Sequence, residues 1–182
     1  MWPWLIAGVV ILWLVRSGSI SLHGQADVPQ LPGAAGIVQT MGLMRSMTNQ
    51  AISHPLIRQH AARATEHVGR GDHKQSALAI GEWVRAKVRY VPDPLHNEHL
   101  TNPVAMALAI AEGKKVYGDC DDMSMLVAAM AKSIGMQPTF HGVGRGAQFH
   151  HVYTEIAGMV VDPTVPLGVQ PFRAERRLSV KV

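Results

Sequence analysis

The sequence predicts an α+β domain in which helices come first and an antiparallel sheet follows. Between about residues 55 and 135, apolar side chains recur at helical spacing in segments bounded by cap and stop signals. After Pro138 the texture changes to short alternating runs separated by turn residues. The 182 residues are 47% apolar and 16% charged, which suits one packed domain with some additional segments.

Each element has its own signal. The first helix is expected from Pro55 to Val68, with Ser53 as cap, proline at an early position and Gly69 as stop. A second runs from Lys74 to Val88, with Leu78, Gly81, Trp83, Val84 and Val88 facing inward. Asn102 reads as the cap of a third helix, Val104 to Glu112, with Pro103 at its first position and Gly113 closing it. The strongest pattern follows Gly118-Asp119-Cys120-Asp121-Asp122. Met123, Leu126, Val127, Met130 and Ile134 make an apolar stripe, and Gly135 is the expected stop. Thr139 to Val143, Phe149 to Ile156 and Met159 to Asp162 then read as three strands, with a turn over 144–147.

Residues 1–22 form a hydrophobic N-terminal segment, of which 1–15 carry no charge before Arg16. At ~1.5 Å per residue such a helix falls short of a ~30 Å hydrocarbon core. Three readings stand: a short membrane anchor with Trp2, Trp4 and Trp13 at the interfaces, an arm buried on another subunit, and a signal segment lacking the usual basic start. Residues 23–50 read as a linker or extended arm, on the Gly, Ser, Pro and Gln content up to about Thr40. The domain proper is expected over 51–165, and 166–182 as a tail whose Arg173, Arg176 and Arg177 are solvated. The formal charge of +4 mildly favours anionic partners, but no basic block or nucleic-acid motif is present.

A single cysteine excludes an intramolecular disulfide and a cysteine-rich zinc site. Cys120 falls in the first turn of the best-defined helix. Unpaired N–H groups and the positive end of the helix dipole favour a thiolate there, and the backbone N–H there is suited to an oxyanion. Asp119, Asp121 and Asp122 oppose that ionisation, so a nearby imidazolium is required to offset them. His150 and His151 are adjacent and point to opposite faces of a strand. If Ala157-Gly158 makes a two-residue hairpin, Tyr153 faces Asp162, and Asp162 lies one diagonal step from His151 on the same face. Cys120 as nucleophile, His151 as base and Asp162 as the group that orients the imidazole form a complete set.

The stretches Trp83 to Tyr90 (WVRAKVRY), Gly118 to Asp122 (GDCDD), His151 to Glu155 (HVYTE) and Val161 to Thr164 (VDPT) resemble the transglutaminase-like superfamily, which shares a papain-like core. The resemblance covers roughly half the chain. It implies a papain-like fold, Cys120, His151 and Asp162 as a triad, and peptidase or amidase activity on a protein or a peptidoglycan peptide. No cofactor is implied. Tyr117 is the nearest oxyanion-donor candidate, with Asp119 and Tyr153 as supporting residues. The compact arrangement is also similar to small transglutaminase-like proteins encoded among phage structural genes. That likeness implies a virion or membrane-associated component acting at the cell envelope, with residues 1–15 as a membrane contact and other virion subunits as partners. An idle site in an assembly protein is the alternative. A metal site drawn from His96, His99, His141, His150, His151 and Cys120 is a third reading, but it lacks helix-spaced ligand pairs.

Overall fold

The computed structural model describes residues 25–28, 31, 33–93, 98–146, 148–166 and 174–182. The readings of residues 1–22, and those resting on Pro29, Pro32, His96 and Arg173, lie outside these residues. Among the described residues, no helix is long and apolar enough to cross a membrane.

Five helices and eight strands are described: β1 (Gln25–Val28), α1 (Gly33–Ala51), α2 (Pro55–Ala64), α3 (His73–Lys87), β2 (Val88–Tyr90), β3 (Glu98–Thr101), α4 (Pro103–Ala111), β4 (Val116–Gly118), α5 (Cys120–Ser133), β5 (Pro138–Arg145), β6 (Gln148–Ile156), β7 (Met159–Val161) and β8 (Arg176–Lys181). The last four form an antiparallel sheet in the order β7-β6-β5-β8. Two small ribbons lie apart from it: antiparallel β1–β3 and parallel β2–β4.

α5 is the central element. Every residue from Asp121 to Ala131 is buried, because the helix is enclosed on all sides. One side packs with α2, α3 and α4 around Ile57, Ile80, Val84, Leu126 and Met130. Another packs with α1 and the sheet around Met41, Met44, Met125, Phe140 and Val152. Two polar contacts pin the helix to β6: Ser124 Oγ donates to the Val152 carbonyl at 3.3 Å, and Thr154 Oγ1 donates to the Ser124 carbonyl at 3.2 Å.

The linker expected over 23–50 is replaced from residue 33 onward by α1, which seals the sheet. Thr40, Met41, Met44, Met47, Thr48 and Ala51 form its buried stripe. The Gly and Pro content that suggested a linker belongs to the residues before the helix and to its first turn. α1 approaches β5 so closely that a Cβ on Gly142 would lie 2.8 Å from Ile37 Cγ1 and 3.0 Å from Met41 Sδ. The expected tail is also corrected. Arg176–Lys181 is strand β8, paired along β5 from Thr139 to Gly144, although Arg176 and Arg177 remain exposed.

Smaller differences have local causes. α2 is capped by His54, whose Nδ1 accepts from Leu56 N–H, in place of Ser53, and it ends at Thr65, well before Gly69. In α3 the fully buried positions are Ala77, Ile80, Gly81 and Val84, while Leu78 and Trp83 are half-buried at its flank. The caps Asp72 and Asn102 hold their helices through their side-chain oxygens.

Candidate functional site

Strand geometry brings His151 and Asp162 together. The β6–β7 connection is a two-residue turn, with Ala157 at φ 52° and Gly158 at φ 75°, and the register runs Ile156↔Met159 and Thr154↔Val161. Continuing that register sets Asp162 opposite Tyr153, diagonal to His151. The His151 Nε2 lies 2.6 Å from Asp162 Oδ2. The contact is sheltered, since the Asp162 side chain is 2% exposed and that of His151 18%.

Thr164 completes the bracket. Its N–H (3.0 Å) and its hydroxyl (2.7 Å) both donate to Asp162 Oδ1, leaving Oδ2 for the imidazole. Burial alone would raise the Asp162 carboxyl. The hydrogen bond and charge of His151, with the two Thr164 donors, outweigh it and hold the group below the ordinary carboxylate range.

A β-bulge separates the two histidines. Val143 pairs with His151 but Gly144 pairs with Phe149, so His150 is the extra residue and is exposed. Gly144 is tightly constrained here: a Cβ on it would lie 1.9 Å from the Gln148 carbonyl oxygen.

Cys120 opens α5. Asp119 caps the helix by accepting from Asp121 N–H (3.2 Å) and Asp122 N–H (3.4 Å). Ser124, one helical turn after Cys120, sets α5 against Val152 and Thr154 of β6. His151 commits Nε2 to Asp162, so Nδ1 is the ring nitrogen left to receive a proton from another group.

Tyr90 links the two parts. It pairs with Gly118 across the β2–β4 ribbon, and Val91 N–H donates to the Gly118 carbonyl at 3.0 Å. Partial burial raises the Tyr90 phenol above its ordinary value, and so do the negative charges of Cys120, Asp119, Asp121 and Asp162. Cys120 and Asp162 thus both lie within electrostatic reach of one half-exposed phenol. Tyr117, singled out from the sequence, is opposite Arg89 and one residue out of phase with Gly118, on the other face of the ribbon. Sequence reasoning noted Tyr90 only as part of a motif, since its pairing with Gly118 spans 28 residues.

The acidic residues divide by role. The side-chain donor atoms of Asp119, Cys120 and Asp121 lie within 4.8 Å of one another. Asp122 turns away to β3, where Thr101 N–H donates to Oδ1 at 2.6 Å and Thr101 Oγ1 lies 3.2 Å from Oδ2. Burial pushes its carboxyl up to about 8. The histidines of the metal reading are dispersed: His141 Nδ1 meets Ser179 Oγ at 2.8 Å, His150 is the bulge residue, and His151 is held by Asp162. Tyr153 is 1% exposed, its ring 6.4 Å from His151 and 5.2 Å from His141.

No family model and no curated protein matches the chain. Among solved structures, it is similar to one from Cytophaga hutchinsonii described as a candidate cysteine protease, at 18% identity and a TM-score of 0.39. The match covers 77% of this chain and 49% of that one, so the chain spans about half the length of its neighbour.

Proposed function

We propose that the chain is a thiol hydrolase with a transglutaminase-like, papain-like core, cleaving an amide bond in a protein or a peptidoglycan peptide. The observation that carries the reading is the sheltered His151–Asp162 pair, braced by Thr164, in a chain whose cysteine opens the buried helix α5. In this reading the Cys120 thiol passes its proton to His151 Nδ1 and the sulfur attacks the carbonyl carbon. The positive end of the α5 dipole stabilises the oxyanion. As the C–N bond breaks, the imidazolium returns the proton to the leaving amine. Water, deprotonated by the same imidazole, then attacks the thioester and releases the acid. Asp162 fixes the tautomer throughout. The envelope or virion setting belongs to the same proposal and rests on the apolar residues 1–15 and the sequence resemblance.

A second reading, an idle site, is favoured by the Asp119 and Asp121 carboxylates beside the sulfur. Alkylation of the full chain by iodoacetamide near pH 6 separates the two. An imidazole-paired thiolate reacts about tenfold faster than an ordinary thiol there, after allowing for its lower intrinsic nucleophilicity. We expect that advantage in the native chain, its loss in His151→Ala and no labelling in Cys120→Ala. Equal rates in the native chain and His151→Ala would refute the proposal.

A further inference from the structure

An open cleft of about 410 Å³ lies between the C-terminal turn of α3 and the β2–β4 ribbon, on the ribbon face of Arg89 and Tyr117. Arg85, Lys87, Arg89 and Lys115 line it together with Tyr117, and none of the described lining residues is acidic. Arg85 is partly engaged by Glu82 at 3.9 Å. Tyr117 is 49% exposed, and at the mouth of the ribbon Tyr90 and Val91 are 48% and 44% exposed. Exposed aromatic and apolar groups beside clustered cations suit a polymer that carries both peptide planes and negative charge.

The position is as informative as the charge. Tyr117 precedes Cys120 by three residues, so the cleft begins no more than ~10 Å from the nucleophile along the chain. Closer in, Asp119 and Asp121 flank the sulfur and repel carboxylates. The field therefore changes sign with distance from the site: negative at the thiol, positive a few residues away.

Building on the thiol-hydrolase reading, we propose that this cleft binds an acidic stretch of a polypeptide substrate, starting about three residues from the bond attacked. An extended chain advances ~3.3 Å per residue, so three neutral residues span the acidic zone before the first Glu or Asp reaches Arg89, opposite Tyr117, and the acids after it reach Lys115. The partner is an acidic peptide segment because the cleft is short, basic, carries the exposed Tyr117 and begins three residues from the candidate nucleophile.

The test uses three iodoacetyl peptides that share a neutral three-residue spacer followed by four Glu, four Ser or four Lys. Second-order rates of Cys120 modification in the full chain are read by mass spectrometry at low and high NaCl. The Glu probe should react roughly tenfold faster than the Ser probe at low salt, with the advantage shrinking at high salt and the Lys probe slowest. An Arg89→Glu/Lys115→Glu double variant should reverse the order of the three probes, each rate being taken relative to iodoacetamide in the same protein. Equal Glu and Ser rates in the native chain would overturn the proposal, as would a preference that survives the double variant. A cleft serving a lipid surface or a polysaccharide would give the first of these results. The ratio between probes tests the cleft, whereas the absolute iodoacetamide rate in His151→Ala tests the thiol site, so the two failures are distinguishable.

Discussion

Replacing Asp122 with asparagine should make the protein more stable, and increasingly so as pH rises from about 5 to 8. Asp122 is 3% exposed and its carboxylate faces Thr101, with Oδ1 accepting from the backbone N–H and Oδ2 beside the hydroxyl. A neutral carboxyl satisfies both, since its own O–H donates to Thr101 Oγ1. Asparagine reproduces that pattern, its amide group taking the place of the O–H. Burial raises the carboxyl from 3.8 to about 8, so across that interval the native state keeps a proton that the unfolded chain has lost. The unfolded state then binds fewer protons, and stability falls as pH rises, by ~1.4 kcal/mol per pH unit at most. Between about pH 5.5 and 7.0 this amounts to ~2 kcal/mol, and above the folded value the penalty becomes constant. His141, which burial holds below its ordinary value, contributes an opposite slope below about 6.5, but it is common to both proteins and cancels in the difference. Urea unfolding of the native chain and Asp122→Asn at several pH values reads the effect directly. The two stability curves should diverge with rising pH and run parallel above about pH 8. Curves parallel from pH 5 upward would refute the reasoning.

Other expectations follow from single contacts. Ala157 occupies a left-handed turn position at φ 52°, so Ala157→Gly should stabilise by ~0.5–1 kcal/mol in thermal or urea unfolding, the relief of strain exceeding the added chain entropy. Gly144→Ala should cost ~2 kcal/mol or more, because its Cβ meets the Gln148 carbonyl at the bulge beside His151. Gly42→Ala, on the open face of α1 with nothing within 4 Å of the new Cβ, should instead stabilise by ~0.5–1 kcal/mol. Thr164→Val removes the 2.7 Å hydroxyl bond to Asp162, worth ~1 kcal/mol, and should raise the lower limb of the pH profile for Cys120 alkylation. Thr164→Ser should restore that limb, and an unmoved profile in the valine variant would remove Thr164 from the site.

The sequence by itself determined the local elements and the candidate groups of the site. Caps such as Asp72 and Asn102, the apolar stripe of α5 and the alternation of β6 are short-range signals, written within a few residues of the structure they specify. The His151–Asp162 pairing was legible for the same reason: a two-residue hairpin fixes register, and register fixes which side chains share a face. The Thr164 bracket is equally local, only two residues from Asp162, but the sequence alone named Thr164 only within the VDPT stretch.

What only the tertiary structure decided lies in contacts between distant segments. Helix α1 looked like linker because its methionine stripe acquires meaning only when the sheet and α5 are there to receive it. The C-terminal residues looked like a tail because β8 is a strand only by virtue of β5 beside it. Tyr90 joins the site, and Tyr117 the basic cleft, through a parallel pairing whose strands are separated by β3 and α4. The acids around Cys120 look alike in sequence, but burial against β3 pushes Asp122 up to about 8, while Asp119 caps the helix. Local chemistry chose the residues, and long-range packing chose their neighbours and therefore their charge.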